Sequence, residues 1–247
     1  MKITRNPFKI IYILWLLFTV TGIFFLIYPL VRYALAKPER YPFGHKLRVF
    51  WGKALLFFGL VRLKTEFEQS VDPKGVYIIT PNHSSYIDIA TITTGLDMLD
   101  FSFMAKAELL NIPLFGIWFK TIDIAVDRKN ARKAAEAYIK ATRFFSSGRS
   151  LVIFPEGTIG PQIPKLLRFK DGPFKLAIEK QVDILPVTII DNYKIFNDTG
   201  VISGRPGKVY QYIHAPISTK GMTQEDVEGL KNKVYQIIEA KLKEYGN

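Results

Sequence analysis

Residues 76–88 read VYIITPNHSSYID. The first five residues are β-branched or aromatic and form a short apolar run that stops at Pro81, the pattern of a buried strand. A polar turn follows, and then the helical pattern of IDIATITTGL. A strand passing through a polar turn into a helix is the unit from which open α/β sheets are built, and such junctions are where those sheets place their sites.

Downstream, the same alternation continues. Further strands are expected at 101–105, 122–126, 151–154, 184–189 and 208–213, all short runs rich in β-branched and aromatic residues. A helix is expected over 130–147, with Ala134, Ala135, Tyr138, Ala141 and Phe145 near helical spacing and Gly148 as its stop. Thr223 and Asp226 form a capping box that opens a last helix, whose buried stripe is Val227, Leu230, Val234, Ile238 and Leu242. The fold class is therefore α/β, with a mostly parallel or mixed central sheet covered by helices.

Upstream, residues 10–31 (IIYILWLLFTVTGIFFLIYPLV) carry no charge, and 22 residues of helix reach about 33 Å, enough to cross a bilayer core. Trp15, Tyr28 and Tyr33 suit the membrane interface. A second apolar stretch at 49–61 (VFWGKALLFFGLV) would reach only about 20 Å, and the turn-rich KPERYPFG separates the two. Three arrangements compete: a cleavable signal ending at Ala34-Leu35-Ala36, a single span, and an embedded two-helix hairpin. Basic flanks on both sides and the short second helix favour the hairpin. The division expected is residues 1–64 as a membrane anchor and 65–247 as an α/β domain.

The charge agrees with this division. Of a net +12, residues 1–64 hold eleven Lys and Arg against the single acid Glu39, which leaves about +2 for the rest. Basic residues bracketing the most apolar segment point to an anionic lipid surface and not to nucleic acid. The second flank is the more basic, so the positive-inside rule puts the larger domain on the cytoplasmic face. The sequence has no Cys, which excludes disulfides, a thiol nucleophile and thiolate metal sites.

The turn NHSSYID places one of only three histidines five positions before an aspartate. Five positions on a helix differ by about 140°, so His83 and Asp88 meet only if His83 lies in the turn and Asp88 in the first helical turn. Ser84 or Ser85 is then the expected N-cap. In that geometry Asp88 holds one ring nitrogen and the other becomes available as a general base, although a purely structural capping cluster would look the same. Lys106, Asp127-Arg128 and Pro155-Glu156-Gly157-Thr158 also follow expected strands. On a parallel sheet these residues converge on one edge. Gly157 permits a tight turn or close approach of substrate, and Glu156 accepts hydrogen bonds from a hydroxylated substrate or caps the next helix. A base with two cations, Lys106 and Arg128, suits a phosphorylated alcohol.

With these residues assembled, residues 75–215 resemble the glycerolipid acyltransferase family, and within it the 1-acyl-glycerol-3-phosphate (lysophosphatidate) acyltransferases. NHSSYID is similar to the family's Asn-His-x-x-x-x-Asp block, AKAELLNIPLFG to its lysine-containing stretch, and IAVDR to its arginine block. FPEGT with LLRFKDGPFKLA, and then LPVTI, follow in the family's order. The resemblance implies acyl transfer from acyl-CoA or acyl-carrier protein to the sn-2 hydroxyl of lysophosphatidate, with His83 as base and Asp88 as its orienter. It implies Lys106, Arg128, Glu156, Gly157 and Thr158 as substrate-binding residues. It requires no cofactor, no metal and no covalent acyl-enzyme. Where the family's third block continues with arginine, this chain has Ile159, and Lys165, Arg168 or Lys170 is expected to supply the missing cation. A related acyltransferase acting on glycerol-3-phosphate or another lysophospholipid is the nearest alternative, and a non-enzymatic lipid-binding protein a remote one.

Overall fold

A computed structural model describes residues 2–127, 131–197 and 201–246. In chain order its elements are β1 (Lys2–Ile3), α1 (Pro7–Leu35), α2 (Tyr41–Phe58), β2 (Val61–Phe67), β3 (Tyr77–Pro81), α3 (Asp88–Gly95), β4 (Phe101–Lys106), α4 (Gly116–Lys120), β5 (Ile124–Val126), α5 (Ala131–Ser146), β6 (Ser150–Ile153), α6 (Gly172–Lys180), β7 (Asp183–Ile190), α7 (Asn192–Ile195), β8 (Val201–Ile202), β9 (Gly207–Ile213) and α8 (Val227–Glu244). A seven-stranded mixed sheet runs in the order β2-β9-β7-β3-β6-β4-β5. From β7 to β5 all neighbours are parallel, whereas β9 is antiparallel to β7 and carries β2 parallel to itself. The short strands β1 and β8 pair separately.

Central strands β3 and β6 are buried at every position, as expected of parallel strands covered on both faces. Ile78, Leu151 and Ile184 point to a core shared with α5, α6 and α8, while their neighbours Ile79, Val152 and Leu185 point to a core shared with α3. The Thr223–Asp226 capping box is present, and the stripe from Val227 to Leu242 on α8 is buried as expected.

Two features depart from the sequence reading. The apolar stretch 49–61 is not one helix: α2 starts earlier, at Tyr41, and stops at Phe58, where Gly59 and Leu60 (φ 57°) turn the chain into β2. β2 itself was not expected, because VRLKTEF carries charges at alternate positions and follows an apolar helix without a break in hydrophobicity. As the edge strand it exposes Arg62 and Lys64 and leaves Glu66 half-buried.

Helices α1 and α2 form an antiparallel pair. Tyr12 donates from its hydroxyl to Gly59 O (2.9 Å), Trp15 Nε1 to Phe58 O (2.7 Å) and Trp51 Nε1 to Val20 O (3.2 Å). α2 lies on α3 and β2, and α1 lies outside α2 and against α4. α1 has 29 residues; its most apolar 18-residue stretch has a mean hydropathy of 2.6, and only 33% of that stretch is buried. A helix in a soluble core would be mostly covered; here Phe18, Phe25 and Leu26 are 67%, 67% and 79% exposed. A bare apolar face of this kind marks a membrane-associating surface.

Candidate active site

The chain leaves β3 at Pro81 and crosses the polar turn before α3 begins at Asp88. Asn82 holds the start of that turn against β7: its Nδ2 donates to Ile189 O (3.0 Å) and its Oδ1 accepts from Ile189 N (2.7 Å). The expected N-cap at Ser84 or Ser85 is not found, and Ile87 occupies that position. Asp88 reaches back from inside the helix, its Oδ2 accepting the N–H groups of Ser84 (2.7 Å) and Ser85 (3.0 Å). These turn amides are thus satisfied by the carboxylate, which leaves the Ser85 hydroxyl to donate to Phe196 O (2.7 Å).

The same Oδ2 lies 2.8 Å from His83 Nδ1. An oxygen that already accepts from two backbone N–H groups is an acceptor here as well, so Nδ1 carries a proton and Nε2 is the ring nitrogen turned away from the carboxylate. Asp88 is fully buried, while the His83 side chain keeps 16% exposure. The imidazole stacks on Phe154 with centroids 4.0 Å apart and an interplanar angle of 23°. Two ring contacts therefore fix its plane, and the accessible edge faces outward.

β6 delivers the next group. After Ile153 the chain turns at Phe154–Gly157, closed by Gly157 N donating to Phe154 O (3.0 Å), with Gly157 at φ 74°, a left-handed conformation that glycine adopts without strain. Glu156 turns inward, 4% exposed. Its Oε1 accepts from His83 N (2.7 Å) and its Oε2 from Leu167 N (2.8 Å), so one carboxyl braces three segments. Burial pushes its pKa up from 4.5 to about 7, against the opposing effect of those two N–H donors.

Beside this turn opens a cleft of about 470 Å³, lined by Lys106, Glu156, Gly157, Thr158, Leu167, Arg168 and Lys170. Lys106, at the end of β4, lies within 3.4 Å of Thr158 Oγ1. Of the three cations considered in place of Ile159, Arg168 and Lys170 line the cleft and Lys165 does not. Arg128 lies outside the described residues; the strand preceding it, β5, ends on the same sheet edge.

Two contributors were not singled out from the sequence. Phe154 lies within the quoted LVIFPEGT but has no polar group to draw notice. Asn192 Nδ2 donates to Asp88 Oδ1 at 2.7 Å from 104 positions away. Asn192 follows the C-terminal end of β7, the same strand-end position that marks Lys106 and Glu156 in the sequence.

The acyltransferase family profile matches residues 62–190. The 1-acyl-sn-glycerol-3-phosphate acyltransferase of Haemophilus influenzae is 31% identical over 198 residues, covering 79% of this chain and 80% of that protein. A probable 1-acyl-sn-glycerol-3-phosphate acyltransferase of Mycoplasma pneumoniae is 29% identical over 224 residues, covering 84% and 82%. The crystal structure of the 1-acyl-sn-glycerophosphate acyltransferase of Thermotoga maritima superposes with a TM-score of 0.81 over 96% of both chains at 24% identity, a likeness of fold.

Proposed function

The chain belongs to the acyltransferase family, and we propose that it transfers an acyl group from a thioester to the sn-2 hydroxyl of 1-acyl-glycerol-3-phosphate, giving phosphatidate. The observation that carries this reading is the His83–Asp88 contact of 2.8 Å beside a cleft bearing Lys106, Arg168 and Lys170. A phosphomonoester with a neighbouring hydroxyl matches a cationic cleft next to a base.

His83 Nε2 takes the hydroxyl proton as the oxygen attacks the thioester carbonyl. Asp88 holds the ring and stabilises the imidazolium that forms. The tetrahedral intermediate expels the thiolate, which receives the proton back from His83, so ester and free thiol are the products. The cleft cations and Arg128 hold the acceptor phosphate, while Gly157 and Thr158 line its path. Glu156 keeps His83 and the 155–168 segment in register through its two backbone acceptor bonds. The donor is acyl-CoA or acyl-carrier protein.

Residues 1–64 serve as anchor and 65–247 as the catalytic domain, with β2 carrying the chain continuously from one into the other. The anchor holds the His83 edge against anionic lipid on the cytoplasmic face, where a lysophosphatidate keeps its chain in the bilayer.

A matrix of acceptors (lysophosphatidate, glycerol-3-phosphate and lysophosphatidylcholine) against both donor classes tests the reading. Turnover is expected with lysophosphatidate and to be lost in H83A. A preference for glycerol-3-phosphate would replace it with the related reaction, and full turnover in H83A would remove the base mechanism.

A further inference from the structure

We propose that Asn192 is a positioning residue for the His83–Asp88 pair, its amide NH2 fixing the one Asp88 oxygen that the turn around His83 leaves without a partner. The proposal rests on His83 acting as the base.

Asp88 Oδ2 takes its three hydrogen bonds from residues at most five positions away: His83 Nδ1, Ser84 N and Ser85 N. Oδ1 receives one donor among the described residues, Asn192 Nδ2 at 2.7 Å. The second N–H of that amide goes to Thr91 Oγ1 (2.9 Å), whose own proton goes to Asp88 O (3.1 Å). Both amide protons are thus spent on the residue that orients the base or on its immediate support.

Asn192 is fully buried, and its Oδ1 has no partner among the described residues. A buried amide oxygen without a donor costs free energy that an aliphatic side chain would not. What asparagine offers at this position is its pair of donors. The amide orientation is fixed as well, since the reverse would set its oxygen against a carboxylate oxygen.

The topology explains how so distant a residue arrives there. β7 is parallel to β3, so the chain leaving β7 emerges at the same sheet edge as His83. Asp191 adopts φ 70° and turns the chain immediately, bringing Asn192 behind Asp88. The bond from Ser85 Oγ to Phe196 O ties the same segment to the turn a second time. Held at both oxygens, the carboxylate cannot rotate about Cβ–Cγ, and the imidazole keeps its plane. If Oδ1 were released, the carboxylate could swing and the Nδ1 bond would lengthen, and small displacements of a base lower turnover steeply.

The charged and titratable groups around this point are His83 in the turn, Asp88 on α3, Glu156 reaching His83 N from beyond β6, and the Asp191–Lys194 ion pair (2.7 Å) on the segment of Asn192 itself. N192D adds a carboxyl facing Asp88 in the same shape. When protonated it donates to Asp88 as the amide does, and when ionised it repels it.

The test compares wild type, N192L, N192D and H83A as full chains in detergent with lysophosphatidate and an acyl thioester. N192L is expected to lower kcat about 10- to 100-fold, as loss of an orienting partner does at other sites, with the acceptor KM unchanged. N192D is expected to approach wild-type turnover at acid pH and to lose it as pH rises, giving a profile displaced toward acid. A merely structural role would lower activity at every pH without displacing the profile, and that result overturns the proposal. So does N192L turnover within about twofold of wild type while H83A is inactive. Should N192L fail to fold, the N192D profile alone decides. Full turnover in H83A overturns the base assignment first, and this proposal with it.

Discussion

Glu156 combines an inward-facing carboxyl with two backbone donors, and its raised pKa makes it a source of pH-dependent stability. Its value is about 7 in the folded chain against an ordinary 4.5, with burial as the main cause. Between these values the unfolded chain has lost the proton and the native chain retains it, so stability falls as pH rises. The contribution is fully present below about 4.5 and gone once the pH has passed through 7. Replacing Glu156 with Gln removes this dependence at the constant cost of one acceptor. Relative to wild type, E156Q should gain on the order of 3 kcal/mol between pH 5 and pH 8, read by chemical denaturation in detergent. Parallel stability curves for the two proteins would refute the assignment. The other residue-scale test concerns the phosphate. Arg168 lines the cleft and Lys165 does not, so R168A should raise the lysophosphatidate KM by about tenfold or more, the loss of one charge-assisted hydrogen bond. K165A should change it less. The local pair His83–Asp88 could be read directly from NHSSYID, because both partners lie on one turn. Asn192 stands at a legible strand end, but its pairing with Asp88 and the bracing by Glu156 could not be read, since the partners are 104 and 73 positions away and no spacing rule links them.

At the scale of elements, α2 is held to the sheet by a charge that the sequence groups with the basic residues of 1–64. Arg48 on α2 is 2% exposed. It pairs with Asp123 Oδ1 at 2.7 Å and also contacts His45 Nδ1 and Phe101 O. Asp123 Oδ1 accepts from Phe103 N (2.8 Å) as well, so the pair joins α2 to β4 and to the chain entering β5. A buried ion pair contributes little against an apolar substitute, but removing one partner strands the other. D123A should therefore cost about 3–5 kcal/mol, a fall in Tm on the order of 10 °C, measurable by thermal unfolding in detergent. A shift of about 2 °C or less would show that Arg48 finds another partner or water. The central strands could be read to within a residue or two because burial on both faces leaves an unbroken apolar signal, as in VYIIT and LVIF. Edge strand β2 has one wet face and a charged alternation that competes with a loop reading. Arg48 shows the same limit for charge. Its partner is 75 positions off, and only the packing of α2 on α3 and β2 distinguishes it from exposed Lys46 and Lys53.

For the whole molecule, the arrangement of α1 separates two kinds of apolar residue that look alike in sequence. Phe24 is fully buried and stacks on Phe115 at 4.2 Å, which binds the middle of α1 to the segment following β4. Phe18, Phe25 and Leu26 point away from the protein. A helix attached to the domain at mid-length lies alongside it, so the expectation is that its bare face, with the similarly exposed Phe57 and Phe58 of α2, is what meets the lipid. Replacing Phe18, Phe25 and Leu26 with Gln should leave Tm in detergent unchanged. The same variant should weaken binding to vesicles containing anionic lipid by more than about tenfold, since each such side chain contributes about 1.5–3 kcal/mol when buried. F24A should do the reverse, lowering stability by about 3–5 kcal/mol with vesicle affinity retained by the folded fraction. High salt should reduce wild-type binding only in part, removing the share due to exposed basic residues such as Arg5, Lys9, Arg32 and Lys37. Complete release by salt, or a triple variant that binds like wild type, would mean that this apolar face is not what holds the protein to the bilayer.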